Sequence, residues 1–254
     1  MSETITLPET APAAAKIDLS KIKAVVFDTF GTVVDWRSGV AREAAPFITR
    51  HGLAIAPEEF ASAWRKRYHP SMEPIRAGQR PYTPLDVLHR ENLMALLAEI
   101  APDARFAEDE LADLTKAWHR LDPWPDSIPG LTRLKSRYII GPLSNGNIAL
   151  LVNMAKRAGL PWDVILGADV SRAYKRHPQA YTATVEVLGI RPGELMLVAA
   201  HNDDLAAARR CGLATGFIAR PTEHGPGQTT NLEPAEDWDV IADDIVGVAE
   251  RLGC

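Results

Sequence analysis

The stretch Val25-Val26-Phe27-Asp28-Thr29-Phe30-Gly31-Thr32-Val33-Val34-Asp35 constrains this chain more than any other. Ala24 to Phe27 is a short apolar run with no internal polarity, the pattern of a strand buried on both faces of a parallel sheet. The run breaks off at Asp28, ahead of a glycine at position 31 that permits a sharp turn and a hydroxyl at Thr32. Ligands of open α/β sheets bind beyond the carboxyl ends of the strands, so Asp28 stands where a reactive carboxylate would act. A lone aspartate after a strand is more often a turn or cap residue. Here three later strand ends carry polar residues of matching chemistry, which favours the reactive reading.

The remaining sequence changes pattern twice. From about Asp35 to Pro123 it reads as helix throughout. Ser38 can cap a helix to about Arg50 with Pro46 as a kink, and Pro57-Glu58-Glu59 opens a second that runs through Tyr68. A third follows Thr83-Pro84 and places Leu85, Leu88, Leu93, Leu96 and Leu97 on one broad face, and a fourth covers about Ala107 to Leu121. From Asp126 short strands alternate with helices. Strands are expected at Tyr138–Ile140, Val164–Leu166, Leu195–Ala200 and Gly216–Ile218, and a closing helix at Ile241–Leu252 after a polar loop, Pro221–Asp237. The expectation is an α/β fold with a Rossmann-like parallel-sheet core, 17–35 and 124–254, interrupted by an inserted helical domain, 36–123.

A chain of 254 residues accommodates this, since domains run to ~150 residues each. Net charge is −5 with no long basic run, which argues against nucleic acid and anionic membranes as partners. Cys211 and Cys254 are too few for a disulfide framework, and no apolar segment is long enough to span a bilayer. Residues 1–16, rich in Ala, Pro, Thr and Glu, lack the basic start and apolar centre of a signal peptide. They read as a flexible tail, and a cytoplasmic location follows as the default expectation.

Four strand ends carry the chemistry, and together they point to a family. Phe27-Asp28-Thr29-Phe30-Gly31-Thr32 resembles the first motif of the haloacid dehalogenase superfamily, whose first aspartate is a nucleophile. Superfamily phosphatases carry a general-acid aspartate two positions later, where this chain has Phe30. A halide departs without a proton, so the resemblance is to the L-2-haloacid dehalogenase branch. Leu143-Ser144-Asn145-Gly146 is similar to the second motif; a hydroxyl and an amide there can hold an anion, and an ordinary helix cap fits them equally well. Ala173-Tyr174-Lys175-Arg176-His177-Pro178 is similar to the third, although the family has Pro directly after its lysine. Val198-Ala199-Ala200-His201-Asn202-Asp203-Asp204 resembles the fourth, with Ala199-Ala200-His201 in place of Ser-Ser-Asn. Trp64-Arg65-Lys66 is similar to a Trp-Arg-Gln segment of the family's cap.

The resemblance implies a hydrolytic dehalogenase of small 2-haloacids such as haloacetates and 2-halopropionate. Asp28 would displace halide to form an ester, which water directed by Asp204, or failing that Asp203, would hydrolyse. Ser144 with the backbone N–H groups at Thr29 and Phe30 would hold the substrate carboxylate, and Lys175 and Thr32 would orient Asp28. Arg65 and Asn145, joined by His201, would cradle the halide, with Lys66 and Arg67 as fallbacks for Arg65. Tyr181 would line the site, although core packing explains it nearly as well. His201 as an imidazolium donor would suit fluoroacetate as well as chloroacetate. No metal or cofactor is implied, the partners are the haloacid and the halide ion, and a homodimer is compatible. Two other readings compete. A magnesium-dependent phosphatase would use Asp28, Lys175 and Asp203 or Asp204, but Phe30 argues against it. A catalytically silent binding protein would have no need of reactive side chains at all four motifs.

Overall fold

The computed structural model describes residues 17–254, and the expected tail lies outside them. All four side chains of β1 (Ala24–Phe27) are buried, as an uninterrupted apolar run requires. A turn leads to β2 (Val34–Asp35), followed by five helices: α1 (Trp36–His51), α2 (Pro57–Lys66), α3 (Tyr68–Arg76), α4 (Leu85–Ile100) and α5 (Glu108–Thr115). A 3-10 turn at Lys116–His119 then brings the chain to β3 (Asp122–Pro123). This strand pairs antiparallel with β2, Val34 opposite Pro123 and Asp35 opposite Asp122. The helical segment thus leaves and re-enters the core through a narrow two-stranded neck.

Beyond the neck, helices and strands alternate through α6 (Ser127–Lys135), β4 (Ile139–Ser144), α7 (Ile148–Ala158), β5 (Leu166–Gly167), α8 (Ala168–Ser171) and α9 (Gln179–Leu188). The chain closes with β6 (Leu195–Ala199), α10 (Asn202–Arg210), β7 (Ala214–Ile218), β8 (Val240–Ala242) and α11 (Ile245–Arg251). Six of the strands form one sheet in the order β5-β4-β1-β6-β7-β8, with every pairing parallel. Alternate residues of the central strands face opposite layers. Val25, Phe27 and Val198 join one apolar cluster, and Ala24, Val26 and Leu197 the other. The first cluster continues into the helical segment through Trp36, Trp64 and Trp118. Because β1 has β4 on one side and β6 on the other, the carboxyl ends of these three strands open onto one crevice, where doubly wound sheets bind ligands. Among the described residues no helix is long and apolar enough to cross a membrane.

The sequence expectations hold in outline and shift at element ends. Asp35, not Ser38, caps α1: its carboxylate accepts the Ser38 N–H at 3.0 Å, and Gly52 ends the helix in the left-handed region. Tyr68 begins a separate helix, α3, instead of closing α2. The fourth expected helix ends early, at Thr115, and β5 lies at Leu166–Gly167 instead of Val164–Leu166. The largest correction is β8. Residues 241 and 242, expected as the start of the last helix, fall instead in β8, which pairs with β7 as the sixth strand, and Asp244 caps α11 by accepting the Gly247 N–H at 2.7 Å. A three-residue buried strand is too short to display a period of its own.

Candidate active site

Asp28 stands at the carboxyl end of β1, where its backbone N–H donates to the Val198 carbonyl of β6 at 3.0 Å. Its two carboxylate oxygens meet different partners. Oδ1 accepts from Lys175 Nζ at 3.1 Å. Oδ2 accepts from Thr32 Oγ1 at 2.9 Å and faces His201 Nδ1 at 3.1 Å. Thr32 is delivered by the turn at Gly31, whose φ of 90° suits glycine. The Thr32 hydroxyl also accepts the Ala200 N–H at 2.9 Å, which ties the β1 turn to the end of β6.

Lys175 lies between two carboxylates. Its Nζ reaches Asp204 Oδ2 at 2.6 Å as well as Asp28, and Asp204 Oδ1 accepts the Tyr181 hydroxyl at 2.7 Å. The backbone around Lys175 is held from both sides. Its N–H donates to Asn145 Oδ1 at 2.8 Å, and its carbonyl accepts Arg76 Nε of α3 at 2.9 Å.

Burial alone would raise the Asp28 pKa, but the Lys175 ammonium and the His201 ring outweigh it and hold the carboxyl far below its usual range. Lys175 is the mirror case: burial pushes it down, and the Asp204 and Asp28 carboxylates push it up further. His201 is also driven well above its ordinary value, because Glu223 and Asp28 overcome the cost of burying its charge. Other histidines nearby go the opposite way. Burial and the Arg65 charge push His69 down to about 4, and burial lowers His224 despite the adjacent Glu223.

Asp28 opens onto a cavity of about 420 Å³ that Phe30, Arg65, Asn145, Lys175, His201 and Asp204 also line. Arg65 descends from α2 and lies over three aromatic faces, with its guanidinium carbon 3.9 Å from the Tyr68 ring centre, 5.3 Å from Trp36 and 5.9 Å from Phe30. Its Nη1 is buried and has no hydrogen-bond partner among the described residues. The fallbacks are less suitable. Arg67 bonds the Ala63 carbonyl and pairs with Glu99 away from the cavity, and Lys66 only lines the wall. Asn145 donates from Nδ2 to the Tyr68 hydroxyl at 3.0 Å, so the ring under Arg65 is itself anchored to the β4 end.

Four expected residues sit differently from their anticipated places. Ser144 lines a separate small pocket, where its hydroxyl accepts the Gly146 N–H at 3.1 Å. Tyr181 is fully buried and meets Asp204 instead of the cavity. The Thr29 hydroxyl is buried without a partner, although the Thr29 and Phe30 backbone N–H groups donate to no protein acceptor among the described residues. Both His201 nitrogens face carboxylates, Nδ1 at Asp28 and Nε2 at Glu223 Oε2, 2.9 Å away, so neither offers a free N–H to a halide. Of the two candidate aspartates, Asp204 joins Lys175, whereas the more exposed Asp203 pairs with Arg176.

Glu223 is the residue that sequence reasoning missed. It is 1% exposed, lies in the polar loop after β7, and also accepts Trp36 Nε1 at 3.0 Å. An aperiodic loop of polar residues carries no signal that singles out one of its carboxylates. With His201 and His224 it makes up, among the described residues, the one group of ligand-type side chains compact enough to surround an ion. The two His201 nitrogens and the Glu223 oxygens already hold one another, Asp28 and Trp36.

The family model for haloacid dehalogenase-like hydrolases matches residues 22–212. The chain belongs to the haloacid dehalogenase-like hydrolases. Within this family it is 33% identical to an (S)-2-haloacid dehalogenase of Xanthobacter autotrophicus, over 78% of this chain and 76% of that one. A defluorinating L-2-haloacid dehalogenase superposes with a TM-score of 0.89 at 56% identity, covering 92% of this chain and 96% of that one. The Xanthobacter autotrophicus L-2-haloacid dehalogenase with chloropropionic acid covalently bound superposes with a TM-score of 0.73 at 26% identity, over 90% and 97% of the two chains. The family's parallel-sheet architecture is the one that brings Asp28, Asn145, Lys175 and Asp204 to a single crevice here.

Proposed function

We propose that this protein is a hydrolytic dehalogenase that converts small 2-haloacids, haloacetates and (S)-2-halopropionate among them, to 2-hydroxyacids and halide. The observation that carries the reading is a pairing across one cavity. A buried, ionised Asp28 faces an arginine that has no carboxylate of its own and rests on aromatic rings. A carboxylate held ionised at the end of β1 is a nucleophile; an unpaired guanidinium beyond it can receive the departing halide. Phe30 supports the same conclusion, since a buried aromatic side chain stands where a phosphatase needs its general acid. The names of the relatives agree.

The reaction then runs in two displacements. One oxygen of Asp28 attacks Cα of the substrate from the side opposite the halogen, an ester bond forms and the carbon–halogen bond breaks. The halide leaves with the bonding pair towards Arg65, and inversion at Cα turns an (S)-haloacid into an (R)-hydroxyacid. Water next adds to Cγ of Asp28, giving up a proton to Asp204. The bond from Cγ to the substrate-bearing oxygen breaks, and the product takes that oxygen and the proton. The new Asp28 carboxyl loses its remaining proton to solvent, which balances the halide released. The free N–H groups of Thr29 and Phe30 suit the substrate carboxylate. The helical segment acts as the cap: α2 and α3 supply Arg65, Tyr68 and Arg76 and keep bulk water from the ester.

The test is halide release from chloroacetate and from fluoroacetate in the presence of a metal chelator, with p-nitrophenyl phosphate run beside them. The expected result is halide from both acids and no phosphate. Fluoroacetate is included because the relative that is 56% identical is a defluorinating enzyme. Phosphate release restored by magnesium, with no halide from either acid, would overturn the reading in favour of the phosphatase.

A further inference from the structure

The two oxygens of Asp28 are not equivalent. Oδ1 has one donor, Lys175 Nζ, and keeps a lone pair free for attack. Oδ2 is the acceptor for the Thr32 hydroxyl and lies 3.1 Å from His201 Nδ1. If Oδ1 is the atom that is alkylated, Oδ2 becomes the carbonyl oxygen of the ester and already lies between two donors. Hydrolysis of that ester puts a full negative charge on Oδ2 as water adds to Cγ. Donors fixed in advance at such an oxygen are among the largest contributors to catalysis.

His201 can serve there only if Nδ1 carries a hydrogen, and Glu223 decides this. A neutral ring has one N–H and one lone pair, and the lone pair would face a carboxylate oxygen on one side or the other. With Asp28 at Nδ1 and Glu223 at Nε2, only the imidazolium satisfies both contacts. Glu223 is itself fixed by Trp36 Nε1 and packed under the Gly31 turn, where a Cβ would come within 2.2 Å of its Oε1.

We propose that Glu223 is a positioning residue that holds His201 as an imidazolium with its Nδ1–H on Asp28 Oδ2, so that His201 and Thr32 form the oxyanion hole for hydrolysis of the Asp28 ester. The inference rests on the reading of Asp28 as the nucleophile of a haloacid dehalogenase. In the second displacement the electron pair of the C=O bond moves onto Oδ2, where the two donors hold it. It returns as the bond from Cγ to the product oxygen breaks, and Asp204 passes the water proton to that oxygen. His201 gives up no proton in the cycle. Glu223 touches no reacting atom.

The charged and titratable groups facing His201 come from several elements: Asp28 after β1, Glu223 and His224 after β7, Lys175 before α9, Arg65 on α2, and Asp203 and Asp204 on its own helix. Among the described residues only Asp28 and Glu223 contact the ring as anions, so removing the Glu223 charge lowers the pH at which the ring loses its proton.

The experiment follows both displacements with chloroacetate in rapid quench, reading chloride release, glycolate formation and the mass of the Asp28 peptide. In Glu223→Gln first-turnover chloride release is expected to keep its wild-type rate while glycolate formation slows roughly ten- to a hundredfold, as for a weakened oxyanion donor. Alkylated Asp28 then accumulates, and the alkaline fall of ester hydrolysis moves to lower pH. The double variant His201→Asn with Glu223→Gln leaves no buried carboxylate without its cation. It is expected to show the same slow second step with no alkaline limb from this residue. Unchanged glycolate formation, or equal slowing of chloride and glycolate, would overturn the proposal. Absence of any chloride release by the wild type would instead remove the dehalogenase reading on which it stands.

Discussion

At the scale of single residues, Asp28 and Phe30 separate the two kinds of chemistry this fold can support. Asp28→Asn removes the proposed nucleophile at nearly unchanged side-chain volume, so dehalogenation should vanish while the fold stays intact, with a lowered thermal midpoint because an amide does not replace the carboxylate that Lys175, Thr32 and His201 hold. In labelled water a single turnover of the wild type should place heavy oxygen in Asp28 before it reaches product; label going straight to product would contradict the ester mechanism. Phe30 packs edge-on to Trp118 at 6.0 Å and lies under the Arg65 guanidinium. An aspartate there would bring a like charge to Asp28 and offer Arg65 an internal partner in place of the halide. Phe30→Asp should lower kcat/KM on chloroacetate by about tenfold or more, the scale of one charged hydrogen bond. Full retention of activity would show that the aromatic residue does not set the reaction.

At the scale of elements, the site is only as rigid as the turns that hold its side chains. Arg220, just after β7, donates from Nε to the Thr32 carbonyl at 2.9 Å and forks onto Asp126 at 2.8 and 2.7 Å. Asp126 in turn accepts the Ile245 N–H of α11 at 2.9 Å. One buried ion pair therefore joins the β1 turn, the start of α6 and the start of α11. Burial raises the Asp126 pKa, and the Arg220 guanidinium more than reverses this. A depressed folded-state pKa stabilises the fold above the unfolded value, and that contribution is lost as pH falls through the folded one. Asp126→Asn, which leaves Arg220 without its counter-charge, should cost about 3–5 kcal/mol in denaturant unfolding at neutral pH. The penalty should shrink in acid. A loss too small to measure would mean that the fork is incidental to stability.

At the scale of the whole molecule, the helical segment reaches the sheet through polar contacts at the crevice as well as through the neck. Tyr68 meets Asn145, Arg76 meets the Lys175 carbonyl, the Tyr82 hydroxyl donates to Asp169 at 2.7 Å, and Asn147 bonds Asp86 at 2.9 Å. Arg76 is the contact that couples the helices to the lysine beside Asp28. Arg76→Gln should lower kcat/KM on chloroacetate by roughly three- to tenfold, less than the full value of a charged hydrogen bond because Arg76 acts through the Lys175 backbone, with little change in the thermal midpoint. A drop in stability without a change in kcat/KM would place Arg76 among the structural contacts alone.

What the sequence by itself determined is what short-range pattern can encode. A buried run ending in Asp28 marks a strand and the edge where ligands of such sheets bind, and alternation after Asp126 marks the parallel core. Register from the preceding strand favours Asp204 over Asp203 without settling between them. These are consequences of backbone geometry and apolar period, which act within a few residues. Only the tertiary structure decided the rest. Trp36 and Glu223 are 187 positions apart and share a hydrogen bond. The rings under Arg65 come from α1, α3 and the β1 turn. β8 is a strand because β7 offers it an edge. Glu223 turned His201 away from the halide role expected of it, by taking the nitrogen not already on Asp28. No local pattern reports such a partner, because a buried charge is specified by whichever opposite charge the fold brings to it.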